Sequence, residues 1–333
     1  MIWNTEVTRR LDIRLPIIAG GLQWLADAPY VSAAAHAGIM GFVTAASFPE
    51  EADLRAEIRK TRARCGDLPF GVNVSMLPKL VPGEKTEDIF RLIADEGVTV
   101  IETSGRNPEP YIPLLKDLGL TVIHKVPAVR YAIKAQSVGV DMVAIVGAEC
   151  GGHPGMDMIG SFVNAAMAGR DLKIPFLIGG GVGHGSQLIA ALAMGASGVV
   201  MGTRLLVAEE VSAHRAYKQA LVDATERDTA LTMGSVRNTI RTLANHTTAE
   251  VARMEAENPS VTIQDLLPLV SGKIGREAYR TGDVSRGMLS AGHALGLTDR
   301  IEPMAAIIAR IEAEARVARG RLEAMVPQRD AAE

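Results

Sequence analysis

Met142-Val143-Ala144-Ile145-Val146, followed two residues later by Glu149-Cys150-Gly151-Gly152-His153-Pro154-Gly155, is the stretch on which the fold turns. Five consecutive apolar residues, three of them β-branched, read as a strand buried on both faces. The run then breaks into two glycines and a histidine, where the chain stops building core. Glycine lets a backbone approach a flat ligand closely, and histidine is the side chain best suited to move a proton near neutral pH. A tight turn carrying a solvent-facing histidine is the plainer alternative.

Seven further short apolar runs lie at 16–20, 39–44, 70–74, 98–102, 120–124, 175–179 and 198–201, with helical patterns between them at 51–64, 86–96, 128–138 and 186–194. Continuous rather than alternating runs, each followed by an amphipathic segment, predict a (β/α)8 TIM barrel. An open, doubly wound sheet is the competing architecture, because strand count alone does not close a barrel. After Arg204 the pattern changes. A charged helical region is expected over 209–244, further helices at 248–257 and 263–270, a glycine-dotted stretch at 271–296, and a last amphipathic helix at 303–325 followed by a polar tail. The expected organisation is a barrel from 1–205 with 297–333, and a helical cap subdomain, 206–296, over its mouth.

Composition narrows the function. The chain has 333 residues, 47% of them hydrophobic, with a formal net charge of -3 and only 4% aromatics. That length is ample for a large core. The near-neutral balance and scarce stacking groups argue against nucleic acid. Cys65 and Cys150 form neither a Cys-x-x-Cys pair nor a zinc pattern, and the histidines lack ligand spacing, so no metal is expected. A reducing, cytoplasmic setting follows. No membrane span is expected either: the least charged region, 16–49, is punctuated by four glycines and three prolines.

In such barrels the working groups sit where strands end. Those positions hold Gly20, Gly21 and Leu22, then Asn73, Glu102, His124 and Lys125, then the Gly-Gly-His element, Gly179 to Gly183, and Gly202-Thr203-Arg204. The last two loops predict a phosphate site, since Gly179, Gly180, Gly181, Gly202 and Thr203 offer backbone N–H groups and a hydroxyl. Ser186 stands where the next helix is expected to start. The spacing 179–185 fits neither a dinucleotide-binding nor a Walker motif.

These residues resemble the nitronate monooxygenase (2-nitropropane dioxygenase) family of FMN-dependent barrels. The likeness is carried by Pro16-Ile17-Ile18-Ala19-Gly20-Gly21, Phe70-Gly71-Val72-Asn73-Val74, Gly151-Gly152-His153-Pro154-Gly155, Gly179-Gly180-Gly181 and Met201-Gly202-Thr203-Arg204. It continues through Arg237-Asn238 with Arg241, Val270-Ser271-Gly272 and Ser290-Ala291-Gly292, to about Gly296. Within the family the chain looks most like the NAD(P)H:quinone reductases, which share the Glu-Cys-x-Gly-His-Pro-Gly form, a loop like Met76-Leu77-Pro78 and the Arg-Asn-x-x-Arg piece. Leu22 departs from the methionine common near the flavin.

The resemblance implies FMN, with NADH or NADPH as co-substrate. Phosphate would lie on the loops of Gly180, Gly181, Gly202 and Thr203. Asn73 and Lys125 would meet the pyrimidine side of the ring, while Gly20, Gly21, Gly151, Gly152 and Ser290 would lie close to the cofactor. His153 is the expected catalytic residue. A quinone, reached by hydride transfer through flavin N5, is the first expected substrate, and an alkyl nitronate oxidised with O2 to carbonyl and nitrite is the second. Reduction of an enoyl thioester is more distant. A flavin-free phosphate-binding lyase or isomerase using Lys125 is the remaining alternative, and a homodimer is left open. Arg237 and Arg241, one turn apart on an expected helix, are candidates for nicotinamide phosphates or solvated surface charges.

Overall fold

The computed structural model describes residues 2–76 and 85–325. Eight parallel strands close in sequence order: β1 (Ile17–Ala19), β2 (Met40–Thr44), β3 (Gly71–Ser75), β4 (Val100–Ser104), β5 (Thr121–Val126), β6 (Met142–Val146), β7 (Phe176–Gly179) and β8 (Gly198–Met201). Each falls on one of the eight apolar runs. Closure is decided by β8 against β1, where Ile17 pairs with Val199 and Ala19 with Met201. That pairing gives the barrel rather than the open sheet.

A short helix, α1 (Glu6–Leu11), precedes the barrel. Helices α2 (Ala28–His36), α3 (Glu51–Cys65), α4 (Thr86–Asp95), α5 (Ile112–Asp117), α6 (Val129–Ser137), α7 (Ser161–Asp171) and α8 (Gly185–Ala193) then follow β1 to β7 in turn. Strand alternation sorts the core into two layers. Val72, Ile101, Val122, Val143 and Val199 pack outward beneath the helices. Ile18, Met40, Phe42, Ile123, Leu177 and Val200 fill the barrel centre, together with Val7 and Leu11 of α1. α1 therefore plugs the N-terminal end of the barrel, and the sequence reading had assigned it no element.

Two expectations fail beyond β8. Residues 209–244 are not one helical region. They hold α9 (Arg215–Asp223) and an antiparallel hairpin of β9 (Thr229–Thr232) with β10 (Ile240–Leu243). The glycine-dotted stretch contains a further helix, α12 (Gly272–Thr281), after α10 (His246–Glu257) and α11 (Ile263–Val270). Capping boxes fix where α10 and α11 begin: Asn245 accepts from the Thr248 N–H at 2.9 Å, and Thr262 from the Asp265 N–H at 3.4 Å. The last helix, α13 (Met304–Met325), packs back on α8. Leu77 and Pro78 of the family-like loop lie outside the described residues, as does the polar tail after 325.

The α8–α13 contact is backbone on backbone. A Cβ at Gly185 would fall on the Ile311 carbonyl and the Ala315 nitrogen. At Gly320, on the exposed end of α13, nothing lies within 4 Å of an added Cβ. Gly185→Ala should cost about 1–3 kcal/mol through overpacking, whereas Gly320→Ala should gain up to about 1 kcal/mol from helix propensity. Urea unfolding of the two variants checks the pair. Equal effects would contradict the close packing.

Candidate active site

At the C-terminal end of the strands, three inward side chains form a buried polar group. Asn73 on β3 pairs in register with Glu102 on β4. The Asn73 amide donates to Glu102 Oε2 at 2.5 Å, and Lys125 Nζ on β5 donates to the same oxygen at 3.0 Å. Glu102 is fully buried, and among the described residues its Oε1 has no hydrogen-bond partner; Thr44 Oγ1 nearby on β2 is in the same state. A buried polar atom left unpaired costs roughly 1–3 kcal/mol. An acceptor held open there marks a place suited to a donor that is not part of the chain. Asn73 and Lys125 were legible in the sequence. Glu102, which holds both, had been given no role, although a carboxylate inside an apolar run was its signal.

His124 proves to be structural. It faces away from the barrel centre, its Nδ1 lies 2.9 Å from Thr103 Oγ1, and burial, with Lys125 adding to it, pushes its pKa down to about 4.

The loop after β6 is tied to the C-terminal segments at several points. Gly152 N–H donates to the Arg241 carbonyl at 2.9 Å, and Arg241 N–H donates to the Gly152 carbonyl at 2.7 Å. The buried Arg241 side chain donates to the Ala148 carbonyl at 3.2 Å and to Thr229 Oγ1 at 3.1 Å. Arg237 and Arg241 are thus not one helical turn apart: Arg241 lies in β10, and Arg237 sits in the preceding turn at φ 55°. The backbone of Ala291 passes so close to Gly151 that an added Cβ would lie 2.7 Å from its carbonyl carbon. Gly292 N–H donates to Thr203 Oγ1 at 2.9 Å, and His293 N–H to the Glu149 carbonyl at 3.0 Å. Ser290 bridges Thr242 of β10, and its Oγ is 4.0 Å from where a Gly152 Cβ would stand. Loops six and eight, β10 and residues 290–293 therefore form one unit.

His153 projects from that unit. The residue is exposed, yet the protein around its ring disfavours the imidazolium and holds its pKa below the ordinary value. At neutral pH it is a neutral imidazole, able to donate one N–H or accept one proton. Cys150 beside it is inert, because burial pushes its thiol up to about 12.

The glycines divide into two kinds. An added Cβ would lie 2.7 Å from Asn73 Cβ at Gly21, 3.1 Å from Val146 and Val200 at Gly179, 2.6 Å from Ser161 Oγ at Gly180 and 3.0 Å from Glu149 Cβ at Gly181. Those four are filled by the protein itself. At Gly20 the nearest atom is 3.5 Å away, at Gly152 4.0 Å, and at Gly202 only Leu22 Cδ2, at 3.8 Å. At these three an added Cβ would meet nothing closer than ordinary van der Waals contact, so a ligand could lie against uncrowded backbone there. Loop seven is partly committed. Gln187 Oε1 accepts from the Gly183 and His184 N–H groups at 2.8 and 3.0 Å, and His184, not Ser186, caps α8. Gly180, Gly181, Gly202 and Thr203 remain the candidates to face an anion, and the Thr203 hydroxyl, which accepts from the Gly292 N–H, keeps its own proton to donate. Open glycines, anion donors and an unpaired internal acceptor together fit a flat ligand carrying a phosphate. Among the described residues no group of His, Cys, Asp or Glu is placed to hold a metal ion, and no helix is long and apolar enough to cross a membrane.

The model of the family described as nitronate monooxygenase matches residues 4–314. The chain belongs to the nitronate monooxygenase family. It is 27% identical to a probable nitronate monooxygenase of Staphylococcus saprophyticus, over 91% of this chain and 96% of that one. It is 34% identical over 229 residues to a (3aS,4S,5R,7aS)-5-hydroxy-7a-methyl-1-oxo-octahydro-1H-indene-4-carboxyl-CoA dehydrogenase of Mycobacterium tuberculosis, covering 67% of this chain but 62% of that relative's length. The structure of FabK from Thermotoga maritima superposes with a TM-score of 0.88 at 32% identity, covering 97% and 99% of the two chains. As a member of this family the protein is an oxidoreductase.

The open glycines give a test that separates ligand contact from folding. Gly202→Ala should leave the melting temperature of the apoprotein nearly unchanged while weakening FMN binding at least tenfold, about 1.4 kcal/mol. Fluorescence titration with FMN reads the second effect. Unchanged affinity would remove Gly202 from the site.

Proposed function

We propose that the protein is an FMN-dependent NAD(P)H:quinone reductase. One observation carries the reading: the two sequence pieces typical of that branch, Glu-Cys-x-Gly-His-Pro-Gly and Arg-Asn-x-x-Arg, meet as a single paired unit through Gly152 and Arg241. When bound, FMN would supply the two-electron chemistry, taking hydride from the nicotinamide and passing electrons to the acceptor.

The chain's own residues do the rest. Gly180, Gly181 and Gly202 would bind the phosphate through backbone N–H groups, with the Thr203 hydroxyl as a further donor. Lys125 brings a positive charge to the pyrimidine side of the ring, and Glu102 fixes where that charge points. Asn73 gives an amide N–H to Glu102, and its carbonyl, which accepts from the Ser75 hydroxyl at 3.5 Å, has a lone pair left for the same edge. Gly20 and Gly152 let the ring lie flat on backbone, with Gly21, Leu22, Gly151, Gly179 and Ser290 shaping the walls. His153 meets the acceptor. As a neutral imidazole it donates its N–H to a quinone oxygen and polarises the carbonyl, a contribution typically worth 10²–10³-fold in rate. Residues 206–296 form the wall through which the nicotinamide enters.

A second reading, oxidation of an alkyl nitronate with O2, is favoured by the 27% identity to the probable nitronate monooxygenase across 91% of this chain. There His153 would bind the nitro oxygens or, for a neutral nitroalkane, take the α-proton.

Anaerobic mixing separates the two. Fast, saturable bleaching of the flavin by NADPH or NADH, reversed on the same timescale by benzoquinone, is the expected result. Slow, non-saturating bleaching by both nucleotides, with rapid nitrite release from propyl-2-nitronate in air, would move the assignment to the monooxygenase.

A further inference from the structure

Outside the barrel, a cleft of about 430 Å³ opens between α7 and α8, a volume within the range of small-molecule sites. Side-chain size creates it. Ala190 and Ala191 on α8 face the start of α7 across a gap that larger residues would close. Its walls are apolar: Phe162, Ile178, Val182, Met194 and Leu297. Phe162 is 72% exposed, a large ring left uncovered by the described residues.

The polar groups of the cleft lean one way. Glu149 and Glu226 line it with His293, and among the described residues none of its lining side chains is Lys or Arg. The Glu149 carboxylate is fixed by the Ser161 N–H at 3.0 Å and the Ser161 hydroxyl at 2.9 Å. Arg241 balances part of that charge from behind loop six, where its guanidinium is bound to Ala148 and Thr229. Glu226 is exposed and lies against Gly296, where an added Cβ would stand 2.7 Å from its carboxylate. Burial, with Arg241 adding to it, keeps His293 below its ordinary pKa, so it brings no positive charge at neutral pH.

We infer that this cleft binds a small organic cation: an apolar body lying between Phe162, Met194 and Leu297, with an ammonium group meeting Glu226 and Glu149. The exposed rim suits a cation. An ammonium there keeps part of its hydration and avoids the penalty of a fully buried charge, while the apolar body gains by leaving water. The cleft shares the Gly180–Gly181 loop with the proposed flavin position, but its other walls are different residues and the inference does not depend on that reading.

Calorimetry on the full chain with 4-phenylbutylamine and 4-phenylbutyrate, ligands of the same body and opposite charge, tests it. The amine should bind saturably and at least tenfold more tightly than the acid. Ala190→Phe should fill the cleft and abolish binding. Glu226→Arg, at an exposed position that tolerates substitution, should invert the preference and keeps the test decisive if Ala190→Phe fails to fold. Equal affinity for the two ligands, amine binding retained in a folded Ala190→Phe, or an unchanged preference in Glu226→Arg would overturn the proposal. So would a dimer in sedimentation that Phe162→Glu splits, since a second copy would then occupy the cleft.

Discussion

The reciprocal pair of hydrogen bonds between Gly152 and Arg241 holds the site in one shape. A βα loop that follows β6 would by itself be free to move, as loops on rigid scaffolds are. Here its backbone is paired like a strand with β10, and the Arg241 side chain reaches under it to the Ala148 carbonyl. A few ångströms away Gly151 and Ala291 touch backbone to backbone, which only glycine permits. Thr203 then joins the same unit to loop eight through Gly292. Residues separated by some ninety positions in sequence thus fix one histidine relative to one strand end.

Electrostatics complete the arrangement inside the barrel. Glu102 is buried with one oxygen shared by Asn73 and Lys125 and the other unpaired. A buried carboxylate is tolerated when a cation stands beside it, and breaking such a pair is costly because it leaves a bare charge. Glu102 therefore orients Lys125 and Asn73 rather than competing with them. His153 lies at the other extreme, reachable by solvent and uncharged at neutral pH. Lys125 is thus a fixed positive group at a strand end, and His153 a neutral imidazole on the loop after β6.

The barrel was legible because each strand is buried on both faces, so its apolar run needs no partner to be seen. The hairpin was not. β9 and β10 have four residues each, and Arg237 and Arg241 are spaced as on a helix; what makes Ile240–Leu243 a strand is its pairing with Thr229–Thr232 and Gly152, which local spacing does not reveal. α12 was hidden by glycines at its start, one of which lies near the Trp24 indole. Among the site residues, the kinds of side chain were readable but not their commitments. Gly181 and Gly202 look alike in sequence, yet an added Cβ would lie 3.0 Å from Glu149 at the first and no closer than 3.8 Å, to Leu22, at the second. Glu102 was readable as a strand-end carboxylate, but its hold on Asn73 and Lys125 was not.

Stopped-flow kinetics of His153→Ala test the central claim most directly, that loop six exists to hold this imidazole against the acceptor. The account predicts a folded variant with stoichiometric FMN, reduced by NAD(P)H at close to the wild-type rate, and reoxidised by benzoquinone roughly 10²-fold more slowly. Reoxidation at the wild-type rate, or loss of FMN from the folded variant, would contradict it.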